Sequence, residues 1–69
     1  MYFKDRLKQL LDEKGVTKTQ FSRDTGISVY RITTWLKGAR EASATHIILL
    51  SRYFQVSTDF ICGVTNIRK

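Results

Sequence analysis

Four glycines, Gly15, Gly26, Gly38 and Gly63, punctuate a chain that contains no proline. Their fairly even placing implies a string of short helices with glycine stops. The segments between them carry the matching start signals. Phe3, Leu7, Leu10 and Leu11 form the stripe of one helix face, ended by Gly15. Thr17 and Gln20 have the spacing of a capping box, with Val16 and Phe21 placed as a hydrophobic staple around it. Ser28 caps the next segment, where Ile27 and Ile32 repeat the staple. Ser43 stands as the cap of a fourth, with Ile47, Leu50, Ser51 and Phe54 along one face. Ser57 opens a short fifth, stapled by Val56 and Ile61. Nothing alternates like a strand, and no hairpin turn occurs. The reading is an all-α bundle of five helices, over about 2–14, 18–25, 29–37, 44–54 and 58–62, forming one domain over 1–69. No internal repeat and no linker is read.

Charge narrows the partners. Twelve Lys and Arg against six Asp and Glu give a formal net charge of +6, which favours a polyanion such as nucleic acid or an acidic membrane. The basic residues do not form one helix face opposite an apolar one, which argues against a membrane surface. Between Lys18 and Arg40, five basic residues (Lys18, Arg23, Arg31, Lys37, Arg40) face one acid, Asp24, a net of +4. From Glu41 to Asn66, Arg52 stands against Glu41 and Asp59, a net of −1. The run Ile47-Ile48-Leu49-Leu50 is too short to span a bilayer, and charges interrupt the N-terminal region. Cys62, the only cysteine, has no intrachain disulfide partner and is expected to be a small buried hydrophobe. A soluble cytoplasmic chain is expected. His46 lacks companions at metal-ligand spacing and reads as a helix-surface residue. No Ser-His-Asp set, phosphate loop or paired carboxylates appear, so no enzyme, cofactor, metal or small-molecule ligand is expected.

The stretch from Lys18 to Lys37 has the form of a helix-turn-helix. Ser22 is small enough for the contact between the two helices, and Gly26 can take the positive φ of the turn. Phe21, Ile27, Ile32 and Trp35 supply the apolar wedge. On the third helix, Ile32, Trp35 and Leu36 share the core side, while Tyr30, Thr33, Thr34 and Lys37 face outward with Val29 and Arg31 at the flank. That face suits a major groove. Its hydroxyls can meet base edges, Arg31 can grip guanine or a phosphate, and Val29 can touch a thymine methyl.

With "RLKQLLDEKGVTKTQF", "GISVYRITTWLKG" and "LLSRYFQVSTDFICGVT" in this order, the sequence resembles the Cro and cI-repressor family of helix-turn-helix proteins, also called XRE-like. The likeness runs from Phe3 to about Thr65. It implies a five-helix lambda-repressor-like domain that binds operator DNA, usually as a symmetric dimer on a palindrome. By that resemblance Lys18 and Ser28 would meet phosphates, and Val29, Tyr30 and Thr34 would read bases with Arg31 and Thr33 at their edge. Lys37 and Arg40 would reach the sugar-phosphate backbone. Three departures stand out: Leu36 where many relatives carry an acid, Thr25 where an apolar residue is usual, and no proline before Ser43.

A single recognition helix contacts few base pairs, so a homodimer is expected, formed free or only on DNA. Phe60, Val64 and Ile67 are the expected interface residues, because they exceed what a short last helix and tail need for one small core. A competing reading is a protein-interaction module of the same fold, antirepressor- or antitoxin-like, for which Tyr30 and Leu36 would provide apolar surface.

Overall fold

The computed structural model describes residues 2–67. They form five helices: α1 (Phe3–Lys14), α2 (Lys18–Thr25), α3 (Val29–Lys37), α4 (Ala44–Phe54) and α5 (Thr58–Ile61). No strand occurs among the described residues. The ends fall within a residue of the sequence reading. α1 begins at Phe3 because Tyr2 keeps an extended backbone and acts as N-cap without a capping side chain. No helix among the described residues is long and apolar enough to cross a membrane.

The core forms where the apolar stripes converge. Phe3, Leu7, Leu10 and Leu11 of α1 meet Phe21 of α2, Ile32 and Trp35 of α3, Leu50 of α4, and Phe60 and Ile61 of α5. α1 packs on α3 and α5, α2 on α3, and α4 on α5. Aromatic contacts reinforce the α1–α3 pairing and also join α2 to α4. The Phe3 ring stands edge-on to Trp35 at 5.9 Å, and Phe21 lies 5.1 Å from Tyr53 and 5.6 Å from Phe54. Trp35 is fully buried, and truncating such a side chain to Ala costs about 3–5 kcal/mol. Leu36 is half-buried and packs on this core. It therefore does not supply the outward apolar surface expected for a protein-interaction module.

One turn is built twice. At the end of α2, Ser22 Oγ donates to the Ile27 carbonyl at 2.6 Å, Gly26 is left-handed, and Ser28 Oγ accepts from the Arg31 N–H at 3.2 Å. At the end of α4, Ser51 Oγ donates to the Val56 carbonyl at 2.6 Å, Gln55 is left-handed, and Ser57 Oγ accepts from the Phe60 N–H at 3.1 Å. The same serine, left-handed residue, apolar residue and serine cap recur. Sequence inspection passes over the second copy because Gln55, with φ of 57°, holds a position where glycine would advertise the turn.

Two expected caps take other partners. Thr17 Oγ1 accepts from the Gln20 N–H at 3.1 Å, but the Gln20 side chain turns forward to Asp24 at 2.8 Å rather than back to close the box. Ser43 sits at the N-cap position of α4, yet its hydroxyl pairs with His46 Nδ1 at 2.9 Å instead of a backbone N–H. His46 is accordingly half-buried, its ring 5.3 Å from Trp35, and not the open surface residue expected.

The C-terminal segment is fastened by Arg6, one of the charged residues of the N-terminal region. Arg6 is buried, with its guanidinium 3.7 Å from the centre of the Phe60 ring. Its Nη2 donates to the Thr65 carbonyl at 3.2 Å and to Asn66 Oδ1 at 3.1 Å, and Nη1 donates to Gln9 Oε1 at 3.2 Å. Carbonyl dipoles and a π face replace a carboxylate here. Two expectations fall with this arrangement. Phe60 lies under Arg6 with 2% of its surface exposed, so it belongs to the core and not to a dimer interface. Cys62 is exposed instead of buried, because α5 ends at Ile61 and the chain turns outward.

Candidate nucleic-acid interface

The angle at which α3 leaves α2 is set by short contacts around Gly26. Its N–H donates to the Ser22 carbonyl at 2.8 Å, and its φ of 76° reverses the chain. Thr25, unusual at its position, contributes twice. Its hydroxyl donates to the Phe21 carbonyl at 2.8 Å and accepts from the Ile27 N–H at 3.3 Å. Phe21 before the turn and Ile27 and Ile32 after Gly26 are then buried together. Ser28 caps α3 with its oxygen as acceptor, which leaves its hydroxyl proton free to donate outward. The first N–H groups of α3 have no intrahelical acceptor, and they lend this end partial positive charge.

With Ile32 and Trp35 committed to the core, the opposite side of α3 is displayed. Tyr30 is 79% exposed and Val29 40% exposed at its first turn. Arg31 and Lys37 are exposed, while Thr33 and Thr34 are half-buried. Lys18 is exposed at the first position of α2, and Arg40 is exposed in the loop after α3. None of the Lys18, Arg31, Lys37 and Arg40 side chains has a hydrogen-bond or ion-pair partner among the described residues. A groove of about 500 Å³ runs from the N-terminal turn of α3 to the following loop, lined by Ser28, Tyr30, Arg31, Thr34, Trp35, Arg40, Glu41 and Ser43. Asp24, the one acid of the motif, is held elsewhere. Its carboxylate accepts from Gln20 at 2.8 Å and from the Tyr53 hydroxyl at 2.6 Å, tying α2 to α4.

This arrangement presents a helix to a groove-shaped polyanion. On α3, exposed Arg31 stands in the first turn and exposed Lys37 at the last position, with Thr33 and Thr34 between them. The helix-turn-helix family model of the XRE and Cro/cI type matches residues 7–61. The chain belongs to this family. No curated protein and no solved structure gives a significant match. As a Cro/cI-type helix-turn-helix protein, the chain is a DNA-binding transcription regulator, of a family whose work is regulatory binding. Among the described residues, no group of three or more His, Cys, Asp or Glu side chains is placed to hold a metal ion.

Of the side chains singled out in the sequence for contact with DNA, the structure brings Ser28, Tyr30, Arg31, Thr34 and Arg40 together in this groove, while Lys18, Val29, Thr33 and Lys37 lie outside its lining. Glu41 and Ser43 also line the groove, although no sequence signal singles them out for it. Of the expected interface residues, Val64 and Ile67 are 76% and 69% exposed. Both are apolar residues beyond the last residue of α5.

Proposed function

We propose that this Cro/cI-type protein is a sequence-specific repressor of the phage or prophage type, acting in the cytoplasm on duplex operator DNA. α3 enters the major groove, with Val29, Tyr30 and Thr34 against base edges and Arg31 and Thr33 beside them. Lys18, Ser28, Lys37 and Arg40 hold the phosphates that set register. The operator is palindromic and is bound by a twofold pair of subunits joined through the C-terminal segment.

The observation that carries this reading is the outward face of α3. A tyrosine is 79% exposed at the capped N-terminal turn, between basic side chains without protein partners. A buried aromatic would belong to the core; this one extends from the helix end that offers amide donors. The competing protein-interaction reading loses half its surface, because Leu36 packs inward.

Selection of bound duplexes from a random DNA pool tests the proposal. The expected result is a family of sequences with two inverted half-sites about one helical turn apart, roughly 34 Å. A pool that does not enrich, with affinity insensitive to salt, overturns the groove assignment. Enrichment of an asymmetric single site removes the palindrome and the paired subunits.

A further inference from the structure

Arg40 and Glu41 line not only the groove along α3 but also a second cleft on the far side of the loop. This cleft has a volume of about 230 Å³ and is lined by Tyr2, Phe3, Lys4, Gly38, Arg40 and Glu41. It brings the first turn of α1 to the C-terminal end of α3, a juxtaposition that the sequence gives no means of anticipating. Phe3 anchors that turn against Trp35 at 5.9 Å, which directs the neighbouring Lys4 along the end of α3. The Lys4 stem crosses Gly38 so closely that a Cβ built there would lie 2.9 Å from Lys4 Cδ and 3.6 Å from Nζ. Gly38 therefore does two things. Its φ of 77° ends α3, and its missing side chain leaves the passage through which Lys4 reaches the loop.

We propose that this cleft is a phosphate site, and that Lys4 and Arg40 hold in it one further phosphate of the DNA backbone beyond those met by α3 and its loop. The assignment rests on the reading of α3 as the recognition helix, which it deepens. Lys4 and Arg40 oppose one acid, Glu41, so the rim carries a net charge of +1. Lys4 is exposed, and its ammonium has no ion-pair partner among the described residues. Tyr2, 76% exposed, adds a hydroxyl at the mouth. Because Arg40 is common to both grooves, a strand that follows the α3 groove past the loop arrives at Lys4. The occupant is thus a phosphodiester of the same duplex.

The test measures affinity of the full chain for a selected duplex and for an unrelated duplex across a salt series. Lys4→Gln lowers the slope of log affinity against log salt by about 0.9 on both duplexes, while Lys4→Arg restores it. Ethylation of individual phosphates adds a direct readout: the Lys4→Gln footprint lacks one phosphate at its edge. Lys8→Gln, which alters a cation on α1 paired with Asp12 at 3.6 Å, leaves slope and footprint as in the wild type. If Lys4→Gln keeps the wild-type slope and footprint while Lys37→Gln lowers the slope, Lys4 is not a phosphate contact and the α3 reading survives. If Lys4→Gln lowers only the melting temperature, Lys4 serves as a cap for α3 and the proposal falls. Wild-type binding without salt dependence overturns this site and the α3 reading together.

Discussion

Thr34 sits half-buried beside the α3 groove with its hydroxyl proton already donated to the Arg31 carbonyl at 2.7 Å. What remains for a ligand is an acceptor lone pair and a methyl group. In a major groove such a side chain faces the N4 amine of cytosine or the N6 amine of adenine, or touches a thymine methyl. Thr34→Val keeps the shape and the methyl but removes the acceptor. Discrimination at one base pair should then relax by about 1–3 kcal/mol, and Thr34→Ser should retain it. Binding to a set of single-base operator variants checks this; an unchanged ranking with Thr34→Val removes the residue from readout. Cys62 shows the reverse relation between exposure and chemistry. Its thiol is exposed, yet partial burial and then the charges of Asp59 and Glu41 push its pKa up, so the reactive thiolate is scarce at neutral pH.

The helices are held by contacts that local sequence pattern does not reveal. α2 offers only Phe21 as a buried side chain, so an eight-residue helix depends on ties to its neighbours. One tie is the hydrogen bond from Tyr53 of α4 to Asp24, which is 2.6 Å long. Partial burial, the hydrogen bond to Asp24 and its negative charge push the Tyr53 phenol up from 10.0 to about 12. A phenol whose folded-state pKa is raised adds stability that is whole below its ordinary value and is lost as pH climbs through the raised one. The wild type should therefore lose its advantage over Tyr53→Phe between about pH 10 and 12. At neutral pH, Tyr53→Phe should cost about 1 kcal/mol in urea unfolding. A constant difference between the two proteins across the alkaline range would show that the hydrogen bond contributes nothing. Ser43 makes the same point about legibility. The cap pattern placed α4 correctly, but His46, three residues on, competes for the hydroxyl at 2.9 Å.

The proposed pairing of subunits turns on how the C-terminal segment is presented. Arg6 joins residues 59 and 60 positions away in sequence, and its bonds to Thr65 and Asn66 hold that segment against α1. Val64 and Ile67 are then left at the surface while Phe60 and Ile61 close the core. Two exposed apolar side chains make a small interface, so pairing is expected to be weak in solution and completed on DNA, where two half-sites raise the local concentration. Ile67→Asp should leave the helical signal intact, sharply reduce affinity for a full palindrome and spare binding to one half-site. Mobility-shift titrations on both duplexes decide it. Wild-type cooperativity in Ile67→Asp, or a wild-type complex with one protein per full site, would remove the tail from the interface.

What the sequence determined by itself were the events settled within a turn or two of chain. Glycine after an apolar stripe ends a helix, serine or threonine ahead of the next begins one, and a 3.6-residue period assigns Ile32 and Trp35 to one side and Tyr30 to the other. These fixed the number of helices, their ends and the side of α3 turned outward. Tertiary structure decided whatever depended on residues far apart in the chain. It made Arg6 a buried clamp, took Phe60 from the expected interface into the core, and drew Lys4 across Gly38 to the end of α3. The physical reason is that periodicity records which side of a helix is apolar, but not which neighbour will cover it. A cation looks the same in sequence whether it meets solvent, a phosphate or the face of a phenylalanine ring.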